Sequence, residues 1–459
     1  MKNSFKTLLG GALFLTLPMF LTSCDDILGE WDKPTPVTPG GGSGEGGGSD
    51  EGGGGTTPSA TKTAGSISYA SATLTRGTKD PAFTFELSKT GDGTVTYTSS
   101  NTAVADVDEN TGEITTKGVE GTTTITAMVA DSEGYTYATK TASYDLTLQS
   151  GYSFINSSGN TEVVSESNCV SLTGGTSSMS LSSTTKKFVV QGTQTVGGGI
   201  GLDDNTEILL CDGAELKITD DISYNYSPIN LTVYAQSNGA NKGKITISPS
   251  SHIAIKVQDL YIYGGEISVE STSKDAIYVN NMYVYGGEAF AKGGNGNAGV
   301  YCSSALYVYG NGKLEAIGGN STTSKGGDGV KCKTDGTGNA FVSGNAVLIA
   351  KGGDGEGWPG GFGVNAWPCT SGNCEFTATG GNSSNTTAGY GVNKLQYEGG
   401  KVTIMAGTGT SGGAVYNSTF GSSMNTVFEQ TTNGTDWTDF NVIYGDNSSS
   451  GKLGIRKIN

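Results

Sequence analysis

The chain has 459 residues, of which 75 are glycine, and only 15% of its residues are charged. This composition argues against a helical or ordinary α/β protein and favours an all-β fold, because Gly and Asn accept turn conformations while Thr, Val and Tyr fit strands. The formal net charge of −16 excludes nucleic acid as a partner, since such a protein repels the phosphate backbone.

The N-terminal segment 1–23 combines two early lysines, an apolar run and small residues that lead to Cys24. These features are typical of a secretion signal, so we do not interpret the apolar run as a transmembrane helix. The motif LTSC resembles the lipobox of bacterial lipoproteins, which implies that Cys24 becomes the lipidated N-terminus. An ordinary cleaved signal is the alternative. Asp25 and Asp26 resemble the export signal of surface lipoproteins, which implies an outer-membrane lipoprotein exposed at the cell surface and attached to the membrane only by its lipid.

Residues 24–64 consist largely of Gly, Ser, Thr, Pro and acidic residues, with runs such as PGGGSGEGGGS. This composition provides little to bury and predicts a flexible tether. About 30 residues of such a chain reach about 30 Å on average. We therefore expect the tether to hold the folded part away from the membrane.

Residues 65–148 contain short strand-like segments, such as FTFEL and TTTITAMVA, separated by turns at the intervals of a β-sandwich. The stretch VTYTSSNTAVADVDENTGEITTKGVEGTTTITA resembles the bacterial Ig-like group 2 (BIG2) domain, which implies an Ig-like sandwich. This part contains no cluster of titratable residues. We interpret it as a spacer or stalk, with an independent adhesive role as the alternative.

From residue 150 onward the sequence repeats. AIKV at 254, AIYV at 276, GVYC at 299 and GVKC at 329 recur at spacings of 22, 23 and 30 residues. Each unit contains three strand-like segments separated by Gly or Asn, which predicts one coil of a right-handed parallel β-helix. We expect this solenoid over 150–425 and terminal strands or a cap over 426–459. The predicted fold is thus all-β, an Ig-like β-sandwich followed by a right-handed parallel β-helix.

Three coils contain two tyrosines two residues apart, in LYIY, MYVY and LYVY. Alternate residues of a strand share a face, so the apolar residues fill the interior and the tyrosines point outward. Coils stacked about 4.8 Å apart align these tyrosines in two exterior columns. The first contains Tyr261, Tyr283, Tyr307 and Phe341, and the second contains Tyr234, Tyr263, Tyr285 and Tyr309.

An exposed aromatic patch of this size requires an explanation. Tyrosine has an apolar ring and a polar tip, which suits stacking against pyranose rings. We therefore interpret the patch as a platform that binds a polysaccharide or host glycan. The alternatives are that the stacked rings stabilise the sheet or that the Ig-like domain covers them.

Four of the six cysteines of the solenoid fall into two pairs, and Cys169 and Cys211 have no assigned partner. Cys302 and Cys332 occupy equivalent positions and should point inward, either as two small buried hydrophobic residues or as a disulfide. Cys369 and Cys374 flank the short turn of CTSGNC, and an exported protein permits oxidation. We expect a disulfide between Cys369 and Cys374.

Residues typical of catalysis are scarce in the repeats. The only histidine is His252, and the only arginines, Arg76 and Arg456, lie outside the coils. A glycoside hydrolase needs converging carboxylates, and a lyase needs a base beside calcium-binding acids. The sequence therefore favours a binding protein over an enzyme and leaves the enzymatic alternative open.

Asp328 in KGGDGVK and Asp354 in KGGDGEG, with Lys331, form the best lyase-like constellation. Acids in Gly-rich turns also act as turn formers. The GGDGVK and GGE motifs are similar to a secreted bacterial β-helix family known for calcium-associated binding of plant cell-wall polysaccharides, which implies calcium ligands at Asp328 and Asp354. The sequence thus predicts a surface lipoprotein that binds glycan. A non-catalytic adhesin or structural surface protein and a calcium-dependent polysaccharide lyase are the alternatives.

Overall fold

The computed structural model describes three long stretches of the chain and four short C-terminal strands: residues 61–182, 186–226 and 228–416, and Phe420–Ser422, Thr426–Thr431, Thr438–Val442 and Gly454–Lys457. Segment 1–23, Cys24 and almost all of the predicted tether lie outside the described residues. In the described part strands predominate, and its helical structure is one 3-10 turn at Glu166–Asn168. The all-β prediction is confirmed. No helix of the described residues has the length and hydrophobicity needed to cross a membrane.

Ten strands form an N-terminal sandwich: β1 (Thr63–Tyr69), β2 (Thr73–Gly77), β3 (Phe83–Thr84), β4 (Leu87–Thr90), β5 (Val95–Ser99), β6 (Ala105–Val107), β7 (Glu113–Thr116), β8 (Gly121–Val129), β9 (Tyr135–Tyr137) and β10 (Thr141–Gln149). One sheet has the order β2-β10-β8-β5 and another has the order β3-β7-β6. Alternate residues of β8 and β10 are buried, so Ile125 and Leu146 pack with Ile114 between these two sheets. The predicted Ig-like sandwich is therefore present.

A hairpin and a series of short strands follow the sandwich: β11 (Tyr152–Ile155), β12 (Thr161–Val164), β13 (Cys169–Ser171), β14 (Met179–Leu181), β15 (Lys187–Val190), β16 (Thr193–Val196), β17 (Ile200–Leu202), β18 (Thr206–Leu210), β19 (Glu215–Ile218), β20 (Ile222–Tyr224), β21 (Leu231–Ala235), β22 (Lys244–Ile247), β23 (Ile255–Lys256), β24 (Asp259–Ile262), β25 (Glu266–Glu270), β26 (Ile277–Val284), β27 (Glu288–Lys292), β28 (Val300–Val308), β29 (Lys313–Ile317), β30 (Val330–Cys332), β31 (Asn339–Val342), β32 (Val347–Lys351), β33 (Val364–Asn365), β34 (Trp367–Thr370), β35 (Glu375–Thr379), β36 (Leu395–Tyr397), β37 (Lys401–Met405), β38 (Phe420–Ser422), β39 (Thr426–Thr431), β40 (Thr438–Val442) and β41 (Gly454–Lys457).

These strands form a β-helix with three strand positions in each coil. The first and second positions belong to a 17-stranded parallel sheet, in which β26 and β28 each span both positions. The third position forms a parallel series from β16 to β37, to which β39, β40 and β41 are joined by antiparallel pairing. These long parallel sheets confirm the predicted solenoid.

Apolar side chains are stacked in the interior of the β-helix because strand alternation brings every second residue inward. Leu260, Met282 and Leu306 occupy one interior row and are fully buried. Cys302 and Cys332 pair in register, are also fully buried and are free thiols. The interpretation of these two cysteines as small buried hydrophobic residues is confirmed.

Many of the glycines are required by close packing of backbone against backbone. In the turns after the third strand position, the Gly353 N–H donates to the Gly327 carbonyl at 2.8 Å, and the Gly361 N–H donates to the Gly353 carbonyl at 2.9 Å. The same zigzag continues through Gly381 and Gly389. A Cβ on Gly361 would lie 1.8 Å from the Gly327 carbonyl oxygen. Residues with side chains are therefore excluded from this layer.

A buried ion pair joins the sandwich to the first coils. The Arg76 guanidinium lies 3.1 Å from the Asp80 carboxylate and 3.4 Å from the Asp212 carboxylate of the β-helix. Asp80 also accepts hydrogen bonds from the Ser153 N–H and the Gln236 side chain. Arg76 and Asp80 are both buried. Breaking this junction would leave an uncompensated charge, so the contact fixes the sandwich against the solenoid.

Candidate functional site: an aromatic face of the β-helix

The first predicted column of aromatic rings is present. Tyr261 and Tyr283 stack with their centroids 4.7 Å apart, and Tyr283 and Tyr307 stack at the same distance. Phe341 continues the column at 5.2 Å from Tyr307. The backbone register of β24, β26, β28 and β31 places these four residues opposite one another. Their alignment therefore follows from the pairing of successive coils.

The second column lies beside the first. Tyr234 and Tyr263 stack at 5.4 Å, and Tyr263 and Tyr285 stack at 5.1 Å. Tyr309 breaks the series, because its ring is tilted by 49° from that of Tyr285. We call the two columns beyond Tyr234 the aromatic face, which consists of Tyr261, Tyr263, Tyr283, Tyr285, Tyr307, Tyr309 and Phe341.

The orientation of the rings changes the expected mode of binding. Rings in one column are nearly parallel, with angles of 1° and 4° around Tyr283, and their separation matches the spacing of the coils. Each inner ring therefore turns its two apolar faces toward its neighbours. Along most of the aromatic face, therefore, only the ring edges and hydroxyls are exposed to solvent. A sugar can stack only at the end of the columns, where rings are tilted or end the series.

The tyrosine hydroxyls of the aromatic face are free to form hydrogen bonds with a ligand. None of the six has a hydrogen-bond partner in the part of the chain that the structure describes. Burial, followed by the neighbouring Tyr261, raises the pKa of Tyr283 to about 12. The hydroxyl is therefore neutral at physiological pH and both donates and accepts hydrogen bonds.

Polar side chains flank the first column. The Asp259 Oδ1 atom accepts hydrogen bonds from the backbone and the side chain of Asn281, both at 3.0 Å. Among the described residues no hydrogen bond is made to Asp259 Oδ2 or to Asn281 Oδ1. The strand register places Asp259 and Asn281 two residues before Tyr261 and Tyr283 on the same exterior face. A ligand on the ring edges would therefore meet free acceptors.

One end of the second column is closed. The Phe154 ring, from the hairpin after the sandwich, packs edge-on against Tyr234 at 5.1 Å. The Lys187 ammonium lies 4.0 Å from the centroid of the same ring, and the Tyr234 hydroxyl donates to Glu207 at 3.4 Å. No ring contact or hydrogen bond joins the aromatic face to the described residues of the sandwich. The hairpin, and not the Ig-like domain, therefore covers Tyr234.

The other end opens into a groove of about 750 Å³, lined by Tyr309, Phe341, Trp367, Lys394, Gln396 and Glu398 among other residues. Trp367 begins β34 and retains 37% of its exposure. The Lys394 ammonium lies 3.9 Å from the Trp367 ring centroid. We call this feature the Trp367 groove. The groove was not predicted from the sequence, because WPCT lacks the tyrosine spacing of the earlier coils.

Asp328, one of the two predicted calcium ligands, is engaged within the protein. It is buried, and its carboxylate accepts hydrogen bonds from the Lys325 ammonium at 2.9 Å and from the Phe362 N–H and Asn365 side chain at 2.8 Å each. These contacts neutralise the charge and occupy both oxygens. They are the contacts of a turn former.

Asp354, the other predicted ligand, belongs to a different stack of turns. Its Oδ1 atom accepts from the Asn382 N–H at 2.7 Å, and its own N–H donates to the Asn320 side chain at 2.8 Å. The Asn382 side chain in turn accepts from the Thr408 N–H. Asp354 thus takes the place of an asparagine in a ladder of side-chain hydrogen bonds between coils. Among the described residues, Asp354 and Asp328 do not belong to a group of three or more candidate metal ligands.

A different acidic cluster is present at an earlier coil. Asp220, Asp221 and His252 have potential ligand atoms within 4.8 Å of one another. His252 Nδ1 lies 2.6 Å from Asp220 Oδ1, and this hydrogen bond raises the pKa of His252. The cluster was not predicted from the sequence, because His252 and Asp220 are 32 residues apart and no motif links them. The ion pair accounts for its geometry without a metal.

The predicted disulfide between Cys369 and Cys374 is not formed, since both residues are free thiols. Cys369 lies on the exterior of β34, in register with Phe341, whereas Cys374 is fully buried after the turn. The wall of the β-helix therefore separates the two sulfur atoms. Burial raises the pKa of both thiols.

Comparison with known proteins identifies the sandwich only. Residues 85–131 match the family described as the intimin immunoglobulin-like domain. The expected BIG2 resemblance is supported as far as an Ig-like domain over this part of the chain. A search of curated proteins found no match. The Ig-like domain and the β-rich fold are compatible with an adhesin or another surface protein.

Proposed function

We propose that this protein is a non-catalytic surface adhesin whose β-helix binds a polysaccharide or host glycan. The observation that supports this proposal most directly is the continuity of the aromatic face with the Trp367 groove. Stabilisation of the sheet explains why the tyrosine rings stack. It does not explain an open aromatic groove of about 750 Å³ at the end of the stack.

Two kinds of contact suit a glycan at this site. Along the aromatic face, the free tyrosine hydroxyls form hydrogen bonds with sugar hydroxyls. In the groove, the exposed indole of Trp367 provides an apolar surface for the C–H face of a pyranose ring, and Lys394 and Glu398 provide polar contacts. The groove is therefore the stacking subsite, and the tyrosine columns are the hydrogen-bonding subsites.

The length of the site favours a polymer over a single sugar. Tyr261 and Trp367 lie on coils that are four spacings apart, which corresponds to about 19 Å. A chain laid along the coils meets the same kinds of groups at each step. Repeated weak contacts of this sort produce binding through the sum of several subsites.

Surface anchoring completes the proposal. Lipidation of Cys24 and the Gly-rich tether would display the β-helix above the outer membrane. Dense display raises the effective concentration of sites and compensates for a modest affinity at each one. The similarity of residues 85–131 to the intimin Ig-like domain supports a place in a surface protein.

The test is a glycan array with purified protein, followed by calorimetry on the glycans that bind. Trp367→Ala should weaken binding by about 2 kcal/mol, or roughly thirtyfold, if the indole is the main stacking contact. Trp358→Ala is the matched control, because Trp358 is 49% exposed but lies in a turn away from the groove. Equal affinity of the Trp367 variant and the wild type on every bound glycan would refute the proposal.

A further inference from the structure

A further pair of stacked rings lies on the first strand position of the coils, separate from the aromatic face. Tyr278 and Tyr301 stack with centroids 4.8 Å apart and ring planes 6° apart. The backbone register places Lys256 before Tyr278 and Lys331 after Tyr301. We call this series of four residues the lysine–tyrosine column.

The two lysines of the column have no carboxylate within ion-pair distance among the described residues. Lys331 Nζ instead lies 5.7 Å from the centroid of Tyr301, and Lys256 Nζ lies 5.6 Å from that of Tyr224. Other exterior lysines, such as Lys244 and Lys401, do pair with glutamates on neighbouring coils. These two ammonium groups therefore have no ion-pair partner in the described part of the chain and are available to an anionic ligand.

A polar cleft of about 270 Å³ lies beside Tyr301 and Lys331. Asp275 lines the cleft and accepts a hydrogen bond from the Ala298 N–H at 2.7 Å. Burial raises the pKa of Asp275, although the Ala298 N–H and then the Lys331 ammonium act in the opposite direction. Lys331 contributes the positive charge on this side of the column, because the nearby Asp328 is already neutralised by its own partners.

A wider cleft of about 620 Å³ lies on another side of the rings and is lined by Tyr278, Tyr301 and Lys333 among other residues. The Tyr301 hydroxyl is held at 3.0 Å from Thr334 Oγ1. Lys333 has a φ of 58°, and no other non-glycine residue of the described chain has a positive φ. This conformation costs about 1 to 2 kcal/mol. The strained turn thus holds a third ammonium group at this cleft, which the Asp335 carboxylate also lines.

We propose that the lysine–tyrosine column and its two clefts form a second binding site, specific for saccharides that carry an anionic group. Tyr278 and Tyr301 contact the sugar ring, while the three lysines bind a carboxylate or a sulfate. Lys256 and Lys331 lie three coil spacings apart, about 14 Å, so the site accommodates more than one charged sugar.

The experiment is calorimetry of the purified protein with three probes: an oligoglucuronate, its carboxyl-reduced neutral form and a sulfated glucan oligosaccharide. The anionic probes should bind at low salt and lose affinity as salt is raised. Lys331→Ala should weaken their binding about tenfold, as expected for loss of a hydrogen bond to a charged group, and Lys331→Arg should restore most of it. Comparison of the carboxylate and sulfate probes identifies which anion is preferred.

Lys351→Ala is the matched control, because Lys351 is exposed on β32 and also lacks a carboxylate partner among the described residues. It should bind the probes like the wild type, and so should Trp367→Ala, which separates this site from the one proposed above. Unfolding curves of all variants establish that the fold is intact. Equal binding of the neutral probe, or an unchanged Kd in the Lys256/Lys331 double alanine variant, would overturn the inference.

Discussion

Two substitutions of Tyr283 separate the stability of the ring column from its binding role. Tyr283→Ala removes stacking against Tyr261 and Tyr307, both at 4.7 Å. Aromatic pairs contribute about 0.5 to 1.5 kcal/mol each, so we expect a loss of about 1 to 3 kcal/mol in the free energy of unfolding. Tyr283→Phe keeps both stacks and removes only a hydroxyl without a protein partner. Its stability should equal that of the wild type.

Binding should respond to both substitutions. If the Tyr283 hydroxyl bonds to a sugar, Tyr283→Phe should weaken affinity by about 0.5 to 1.5 kcal/mol, or roughly two- to twelvefold. The measurement is calorimetry with a glycan found on the array, combined with urea unfolding of the same samples. Tyr97→Phe in the sandwich is the control, since the Tyr97 hydroxyl also lacks a hydrogen-bond partner among the described residues. A Tyr283→Phe variant with wild-type affinity would show that the column is a structural ladder.

Three positions in the solenoid and its junction, and Cys24 at the start of the tether, give further tests. Cys24→Ser should release the protein from the membrane fraction, as judged by immunoblot, and persistent membrane association would contradict lipidation. Asp354→Asn keeps the side-chain acceptor, so its melting temperature should match the wild type; a calcium-dependent rise that only the wild type shows would instead indicate calcium at this turn. Gly361→Ala should cost about 3 kcal/mol or more, because its Cβ meets a carbonyl oxygen at 1.8 Å, whereas Gly175→Ala has open space and should unfold like the wild type. Arg76→Ala should lower the free energy of unfolding by about 3 to 5 kcal/mol in chemical denaturation, because a buried carboxylate loses its partner; a loss below 1 kcal/mol would show that the junction is well hydrated.

The β-helix could be predicted from the sequence because two simple periods determine the position of each residue in it. Strand alternation assigns each residue to the interior or the exterior, and the recurrence of AIYV-like segments assigns it to a coil. These two rules predicted the neighbours of Tyr283 in both directions and the inward position of Met282. What they did not predict is the orientation of the rings. The spacing of coils is close to the stacking distance of aromatic rings, so the tyrosine rings stack on one another.

The two acids predicted as calcium ligands show why a short motif is a weak guide to position in a solenoid. Asp328 and Asp354 share the motif KGGDG, but the first ends an insertion and leads back to β30, whereas the second precedes an insertion after β32. Their backbones therefore lie in different stacks of turns. The disulfide between Cys369 and Cys374 was predicted wrongly for a related reason. The two residues are close in sequence, but the wall of the β-helix lies between their side chains.

The alignment of successive coils explains how the Trp367 groove arises. The second exterior column continues after Tyr309 with Ser343 and Ser371, whose small side chains line the floor of the groove. Trp367 then stands beside them where the earlier coils carry asparagine or alanine at the equivalent position. One large ring next to two small residues produces a concavity. A search of each exterior column for such changes in size would have found the groove from the sequence.

The two proposed sites share strands, and this sharing has a consequence for affinity. Strands β26 and β28 each contribute one tyrosine to the lysine–tyrosine column and one to the aromatic face, with a register shift between Val279 and Asn281 that separates the two surfaces. Tyr278 and Tyr283 are five residues apart, at most about 17 Å along the strand. A glycan with both neutral and anionic branches can therefore span the corner between the surfaces. Binding at one surface then raises the effective concentration at the other, so such a glycan should bind more tightly than either of its branches alone.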